Sequence, residues 1–221
     1  MAVEQLRTDV LADNIANMNT SGFKRSAATS VEFDRMLIHR MHDPSDPRSQ
    51  EVGTLGNGSR VDRVALDESQ GDIYETGRAL DLAIEGPGWF LAQRPDGSLY
   101  RTRNGAFNQM ADGTITTTEG YRVLMESAGG LVPLVVEPGV EPVFAADGTV
   151  TANGQIVGRL ALDGATDETK LHSRRLEASN VDLAKEMTDL IVTLRAYQVN
   201  QRALRVQDET LGRAVTEIGK V

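Results

Sequence analysis

The chain has 221 residues, no cysteine and a formal net charge of −9. This length can bury a core without disulfides, and the lack of cysteine excludes disulfides, thiolate zinc sites and cysteine nucleophiles. Because the excess charge is negative and the basic residues are scattered among acids, we expect no nucleic-acid partner. No run approaches the roughly 20 apolar residues that span a bilayer, so we expect no membrane insertion. The first residues lack the basic and apolar regions of a cleaved signal peptide.

An N-terminal helix is predicted by apolar residues that recur at helical spacing between Val3 and Met18. Asn14 lies inside this apolar arc, where a buried amide needs a hydrogen-bond partner and can fix the register of a helix pair. The helix should end at the turn-forming residues 19–22.

A long C-terminal helix is predicted from Leu183 to Ile218, with Ser179 and Asn180 as candidate N-caps. At about 1.5 Å per residue it would be some 54 Å long. Its apolar positions alternate in steps of four and three, which is typical of a coiled coil. The expected partner is the N-terminal helix or a copy from a neighbouring subunit. The positions are Leu183, Met187, Leu190, Leu194, Tyr197, Gln201, Leu204, Asp208, Leu211, Val215 and Ile218.

Between the helices, Asp-Gly, Glu-Gly and Asn-Gly pairs separate short β-prone runs, which predicts an antiparallel β domain. Residues near 40–60 are rich in turn formers and poor in apolar anchors, which favours a mobile linker. The predicted fold class is α+β, with N- and C-terminal helices pairing as a coiled coil around a central antiparallel β domain. The expected regions are 1–38 (helix and turn), 39–65 (flexible linker), 66–175 (β domain) and 176–221 (C-terminal helix). Candidate strands are Leu80–Ile84, Trp89–Gln93, Ala106–Met110, Thr114–Thr118, Arg122–Met125, Leu134–Val136 and Val143–Ala145.

Three motifs stand out in the sequence, one in each predicted helical region and one in the β region. The first runs from Leu11 to Arg25, and its matching residues are Asn14, Asn17, Asn19, Thr20, Gly22, Phe23 and Lys24. The second begins at Leu176, and its assembly residues are Ser179, Asn180, Val181, Glu186, Met187, Leu190, Leu194, Arg195, Tyr197, Asn200, Leu204 and Leu211. The third lies in the β domain and comprises Thr76, Gly77, Leu80, Asp81, Ala83, Ile84, Gly86, Gly88, Trp89 and Phe90. The strand-pair run that begins Arg101-Thr-Arg-Asn follows the third motif. Together these runs resemble the flagellar basal-body rod and hook protein family.

This resemblance implies a non-enzymatic axial subunit that needs no cofactor and has no small-molecule substrate. The implied partners are copies of itself, other flagellar rod and hook proteins, and the type III export apparatus. The implied location is the periplasmic rod of the basal body, reached without a cleaved signal peptide. Arg78, the Gly88-Trp89 pair and the run 136–150 favour a proximal-rod member over a distal-rod or hook-type member.

Two interpretations outside the family stay open on the sequence alone. Asp81, Glu85, Asp112 and Glu119 could supply the paired carboxylates of a wall-cleaving enzyme, although acids are also common in hairpin turns. The three histidines lack metal-ligand spacing. The long apolar stripe would also suit a coiled-coil adaptor that forms a discrete dimer and never polymerises.

Overall fold

The computed structural model describes residues 2–32, 36–40, 50–56, 58–127, 130–166 and 168–218. Over these residues, one helix lies near each end of the chain and a series of short strands lies between them. The helices are α1 (Ala2–Ala16) and α2 (Leu183–Ile218). The predicted α+β class is therefore confirmed.

Most of the strands are short and antiparallel. In chain order they are β1 (Ser26–Glu32), β2 (Met36–Arg40), β3 (Gln50–Leu55), β4 (Ser59–Leu66), β5 (Ile73–Glu75), β6 (Leu82–Glu85), β7 (Trp89–Gln93), β8 (Leu99–Thr102), β9 (Asn108–Gln109), β10 (Ile115–Thr116), β11 (Arg122–Ser127), β12 (Gly130–Pro133), β13 (Val143–Phe144), β14 (Thr149–Ala152), β15 (Gln155–Leu160), β16 (Leu162–Asp163), β17 (Lys170–Ser173) and β18 (Arg175–Glu177).

The chain divides into two compact units, and each is discontinuous in sequence. The helical unit comprises Met1–Ile15, Ser26–Asp67 and Leu183–Val221, and the β unit comprises Ala16–Arg25 and Glu68–Asp182. This division differs from the four consecutive regions that the sequence suggested. The turn after α1 and the segment before α2 both belong with the β strands, because their hydrogen bonds are made there.

In the helical unit, β1 pairs antiparallel with β4, and β2 pairs with β3. The Arg7 guanidinium on α1 donates a hydrogen bond of 2.8 Å to the Ser30 hydroxyl on β1. Val3 and Leu11 are the buried apolar side chains of α1, and Asn14 is buried beside them. One face of α1 is therefore covered within the unit.

The sequence predicted a flexible linker over residues 39–65. This prediction is wrong where the residues form strands. Residues 50–55 form β3, and β4 begins at Ser59 and pairs along its length with β1. Val61 and Ala65 are half-buried although the segment has few large apolar residues, so the backbone ladder with β1 supplies much of its order. Residues 41–49 and 57 of the predicted linker lie outside the described residues.

The β unit is built on a branched antiparallel sheet. One path runs β13-β14-β15-β11-β10-β9, and β7, β8, β12 and β16 join it through β11 or β7. Buried side chains of this sheet, of the separate β6-β17 pair and of the connecting segments form one apolar core. In it the Phe90 and Phe107 rings meet edge to face with centroids 5.2 Å apart. The core residues are Leu82, Ile84, Phe90, Phe107, Ile115, Val123, Leu134, Val136, Phe144, Val150, Leu160 and Leu171.

Several predicted turns and strands are present as expected. The hairpin between β14 and β15 turns at Asn153-Gly154, where both residues have positive φ (52° and 76°), as a type I′ turn requires. β7 has the predicted bounds Trp89–Gln93. In contrast, Leu134–Val136 is not a strand. Leu134 and Val136 are buried core residues, and Val135 makes an isolated bridge with Thr114.

Candidate assembly site

A buried cluster of three charges lies in the β unit and is centred on Glu177, whose side chain is fully buried. The Lys24 Nζ donates to Glu177 Oε1 at 2.6 Å, and the Arg103 Nη1 donates to Glu177 Oε2 at 3.2 Å. The backbone N–H of Gly71 adds a third hydrogen bond of 3.0 Å to Oε1. Removing either cation would leave a buried carboxylate without its full set of partners, which is strongly destabilising in protein interiors.

The cations of this cluster are bound at their other atoms as well. Lys24 Nζ donates to the Ser69 carbonyl at 2.7 Å, and the Arg103 guanidinium donates to the carbonyls of Ile84 and Gly86 at 3.2 and 2.6 Å. The same guanidinium lies 5.7 Å from the centre of the Trp89 ring. The cluster therefore joins the first motif, the second motif and the Gly86–Phe90 part of the third.

Gly22 brings the N-terminal turn against this cluster. Its backbone N–H donates to the Glu177 carbonyl at 2.7 Å, and its φ is +67°. A Cβ at this position would lie 2.3 Å from the Arg103 carbonyl carbon, so only glycine fits without a shift of backbone. Lys24 is buried and Phe23 is half-buried, whereas Asn19 and Thr20 are exposed.

Asn180 ties two further backbone segments together. Its side-chain oxygen accepts the Arg25 N–H at 2.7 Å, and its amide nitrogen donates to the Ser69 carbonyl at 3.0 Å. Its role as an N-cap, suggested by the sequence, is wrong because α2 begins only at Leu183 and the amide is used by these distant groups. Ser179 accepts the Val181 N–H at 3.3 Å, which closes a local turn before the helix.

In the helical unit, Asn14 and Glu186 form a buried pair between α1 and α2. Both side chains are fully buried, and the Asn14 amide nitrogen donates to Glu186 Oε2 at 3.0 Å. The same side chain donates to the Ser26 carbonyl at 2.8 Å and accepts the Ser26 N–H at 2.9 Å. Asn14 thus meets the need for a partner that its place in the apolar arc predicted. It fixes the strand after the turn as well as the helix pair.

The face of α2 that is covered is displaced by one residue from the predicted stripe over its first turns. Glu186 and Thr193 are buried, and Leu190 and Tyr197 are half-buried, whereas Met187 and Leu194 are exposed. Arg195 and Asn200 are exposed too. From Arg202 to Thr216 every side chain is exposed, including Leu204, Leu211 and Val215. The predicted stripe therefore continues for about four turns beyond the part that the described chain covers.

Most residues of the third motif are buried or half-buried within the β unit. Asp81, Ala83, Ile84 and Phe90 are buried, and Gly86 and Gly88 have φ of +97° and +132°. Trp89, Leu80 and Thr76 are half-buried, and Gly77 is an exposed turn residue with φ of +78°.

Two of the four acids considered for catalysis, Asp81 and Glu85, are paired with basic side chains. Asp81 is buried next to Arg78, with its Oδ1 3.4 Å from Nη1. The Glu85 Oε2 and the His172 Nε2 are joined by a hydrogen bond of 2.6 Å. Hydrogen bonding to His172 lowers the pKa of Glu85, and hydrogen bonds from Thr114 lower the pKa of Asp112. A general acid needs the opposite shift. Within the described ranges no group of three potential ligands could hold a metal ion, and neither helix is long and apolar enough to cross a membrane.

Glu177 and Arg103 were not among the predicted site residues. Both lie inside runs that resemble the family, but their partners are distant along the chain: Glu177 is 153 residues from Lys24 and 74 from Arg103. The available signal was the lysine that ends the first motif, because a charged residue fixed in a turn motif can require a buried counter-charge elsewhere.

Three family models match the chain. They are described as flagella basal body rod protein (residues 1–24), flagellar hook protein FlgE/F/G D1 domain (83–158) and flagellar basal body rod FlgEFG protein C-terminal (172–217). The first range contains Asn14 and Lys24, the second contains most of the β-unit core and the third contains nearly all of α2.

Named relatives align over nearly the whole chain. The flagellar basal-body rod protein FlgG of Agrobacterium fabrum is 32% identical, over 95% of this chain and 92% of that protein. FlgG of Bacillus subtilis is 32% identical over 94% and 91%, and the flagellar basal-body rod protein FlgF of Mesorhizobium japonicum is 31% identical over 99% and 94%. Relatives of both names match at similar identity, so this similarity does not separate FlgF from FlgG.

Proposed function

Because the chain belongs to the flagellar basal-body rod protein family and is a structural subunit of the rod, we propose that it assembles through the uncovered part of α2. The observation that carries this proposal is the exposed continuation of the α2 stripe. Leu204, Leu211 and Val215 lie in line with the covered side chains Leu190 and Tyr197, yet no described part of the chain covers them.

An apolar stripe of this kind requires a partner. Helices draw most of their stability from packing an apolar face, and large exposed apolar surfaces mark interaction sites. A copy of the chain, or another rod or hook subunit, would cover the stripe in a coiled coil. A head-to-tail contact that does not close then builds a helical tube. The coiled coil, the type III export route and the periplasmic location are parts of this proposal.

The cluster around Glu177 holds together segments of the β unit that are far apart along the chain. Lys24 and Asn180 hold the turn after α1 and the segment before α2 in the β unit through short hydrogen bonds. A chain that is exported unfolded would form these contacts only after export, because they join segments more than 150 residues apart.

We place the subunit in the proximal rod, in keeping with Arg78, Gly88 and Trp89. Gold labelling of an epitope tag on the chain, viewed in isolated basal bodies, tests this position. A label near the export-gate end of the rod is expected. A label adjoining the hook would instead favour a distal-rod subunit.

The assembly proposal is tested with Leu211→Asp and a matched control, Gln198→Asp. Leu211 lies on the exposed stripe, whereas Gln198 is also exposed but lies beside the stripe. Both variants should remain folded, since neither side chain is buried. Sedimentation of the purified chain should show that Leu211→Asp loses concentration-dependent assembly while Gln198→Asp retains it. Assembly by Leu211→Asp at the wild-type level would contradict the proposal.

A further inference from the structure

The sequence contains three Asn-Gly pairs, at 57–58, 104–105 and 153–154. Asparagine is among the residues of a protein that are lost to slow chemical change. A following glycine favours the loss of the side-chain amide as ammonia, because no side chain shields the glycine nitrogen. Asn57 lies outside the described residues. The other two pairs share one sequence, so their surroundings in the folded chain decide which of them reacts.

Deamidation at such a pair needs only water. The glycine backbone nitrogen bonds to the asparagine Cγ and gives up its proton, while the bond from Cγ to Nδ2 breaks and ammonia leaves. Water then opens the resulting succinimide ring at either carbonyl, which gives aspartate or isoaspartate, and nothing is oxidised or reduced. The asparagine side chain must therefore be free to turn towards the next nitrogen, and the backbone must be free to close the ring.

The pair at 104–105 is held in place on both sides. The Asn104 Oδ1 accepts the Ala106 N–H at 3.0 Å, and its Nδ2 donates to the Thr118 hydroxyl at 3.3 Å. Gly105 is buried, its carbonyl accepts the Leu82 N–H at 3.0 Å, and the Leu82 carbonyl oxygen lies so close that a Cβ would collide with it. Ring closure here would break contacts inside the β unit.

The pair at 153–154 has no such restraint. Asn153 and Gly154 are both exposed and form the two-residue turn between β14 and β15. A Cβ added at Gly154 would meet nothing within 4 Å. Among the described residues, none accepts a hydrogen bond from the Gly154 N–H. The Asn153 side chain makes one long hydrogen bond, of 3.3 Å, from its Nδ2 to the Glu137 Oε2. Ring closure at this turn therefore costs a single exposed contact.

We propose that Asn153 is a modification site at which the folded chain deamidates, well ahead of Asn104. The inference goes beyond the assembly proposed above and does not depend on it, since it uses the β unit alone. The product carries a carboxylate in place of the amide that donated to Glu137. A hydrogen bond is thus replaced by two like charges that repel each other. The modified chain is more acidic by one charge.

The two products differ in what they do to the hairpin. Aspartate keeps the normal backbone and suits the same turn positions as asparagine. In isoaspartate the backbone runs through the former side chain, so an extra carbon enters a turn whose two residues must match the twist of both strands. Val150 on β14 is fully buried in the core. We therefore expect the isoaspartate form, and not the aspartate form, to loosen the pairing of β14 with β15.

Peptide mapping by mass spectrometry tests the site. The purified full chain is kept folded in mildly alkaline buffer, sampled over time and digested, and the fraction deamidated is measured at Asn104 and at Asn153. We expect a fraction at Asn153 that is at least several-fold larger than at Asn104. In urea the two fractions should approach each other, because both pairs then lack protection. Asn153→Asp provides the chromatographic standard for the aspartate product, and Asn153→Gln should leave that peptide unmodified.

Two results of the mapping would overturn the inference. One is a fraction at Asn104 that equals or exceeds the fraction at Asn153 in the folded chain. The other is an Asn153 that stays intact in the folded chain but is converted in urea, since the turn would then protect it.

Hydrogen exchange tests the effect on the hairpin. The isoaspartate form, separated from the aged chain, should exchange its β14 and β15 amides faster than Asn153→Asp does. Equal exchange in the two would contradict the effect that the inference gives to the altered backbone.

Discussion

Glu177 is a buried carboxylate held by two cations and a backbone N–H, so its neighbours cannot be removed singly without cost. We expect Lys24→Met to destabilise the β unit by about 3–5 kcal/mol, because part of a buried charge is left uncompensated. Urea denaturation of the purified chain measures this change. Arg101→Gln is the control: its ion pair with Asp163 is largely exposed and should be worth less than about 1 kcal/mol. Equal losses of unfolding free energy in the two variants would show that the buried cluster stabilises the chain no more than an exposed ion pair does.

Gly22 provides a second prediction at the level of a single residue. Gly22→Ala combines a left-handed φ with a backbone clash, and these costs of about 1–2 and 1–3 kcal/mol add to roughly 2–5 kcal/mol. Gly97→Ala has a similar φ of +85° but open space around it, so it should lose only about 1–2 kcal/mol. Thermal unfolding of both variants compares them. A smaller loss in Gly22→Ala than in Gly97→Ala would contradict the close approach described for the turn.

The pair formed by Glu85 and His172 predicts a dependence of stability on pH. The hydrogen bond with His172 lowers the pKa of Glu85 in the folded chain. The contribution of this pair to folding stability is therefore fully present above the unfolded-state pKa of the Glu85 carboxyl. It is lost as the pH falls through the lower folded-state pKa. Denaturation midpoints at pH 7 and about pH 3 should differ more in the wild type than in Glu85→Gln. His172→Gln should behave like Glu85→Gln, and a wild-type pH response in either variant would show that the pair does not contribute.

These residues show what sequence alone could and could not supply. Asn14 was predictable, because a polar residue inside an apolar arc must find a partner within a helix packing. The roles of Arg103 and Glu177 were not, since charged residues are usually exposed and nothing local marks two of them as buried. Asn180 was mistaken for a helix cap because its chemistry suits both a cap and a tie between backbone segments.

At the scale of elements, α2 has two parts that differ in how far the rest of the chain covers their side chains. Side chains on one face between Glu186 and Tyr197 are buried or half-buried, whereas all those from Arg202 to Thr216 are exposed. An unpacked helix is only marginally stable in water. We therefore expect amides in 202–216 to exchange with deuterium faster than those in 186–197 in the dilute monomer, and to become protected on assembly.

Hydrogen exchange with mass spectrometry measures both segments in one experiment, and Leu211→Asp serves as the control that should stay unprotected at high concentration. Equal protection of the two segments in the monomer, or no change on assembly, would contradict the role given to the distal part of α2.

Helices and turns were easier to predict than strands. The apolar repeat located α2 at Leu183–Ile218, and the Asn153-Gly154 pair located a hairpin, because both signals are local. The strand β4 escaped prediction because its order comes from pairing with β1, more than 25 residues away. The covered face of α2 is also displaced by one residue from the predicted stripe. Glu186 and Thr193 are buried, whereas Met187 and Leu194 are exposed. A regular apolar repeat does not by itself reveal which part of it a partner will cover.

At the scale of the whole molecule, the chain is a rod subunit whose β unit supplies a packed core and whose helical unit leaves apolar surface uncovered. Its relatives in Agrobacterium fabrum and Mesorhizobium japonicum align with 95% and 99% of the chain. The family and the general architecture could be predicted from three sequence motifs. The uncovered part of the α2 stripe could be recognised only once the structure showed which side chains are covered within one chain.

Electron microscopy of basal bodies from a strain lacking this chain, complemented with the wild type or with Leu211→Asp, tests the central claim most directly. The account predicts that rod, hook and filament are absent without the chain, return with the wild type and stay absent with Leu211→Asp, although that protein is still produced. Complete flagella in the deletion strain, or in the strain carrying Leu211→Asp, would contradict it.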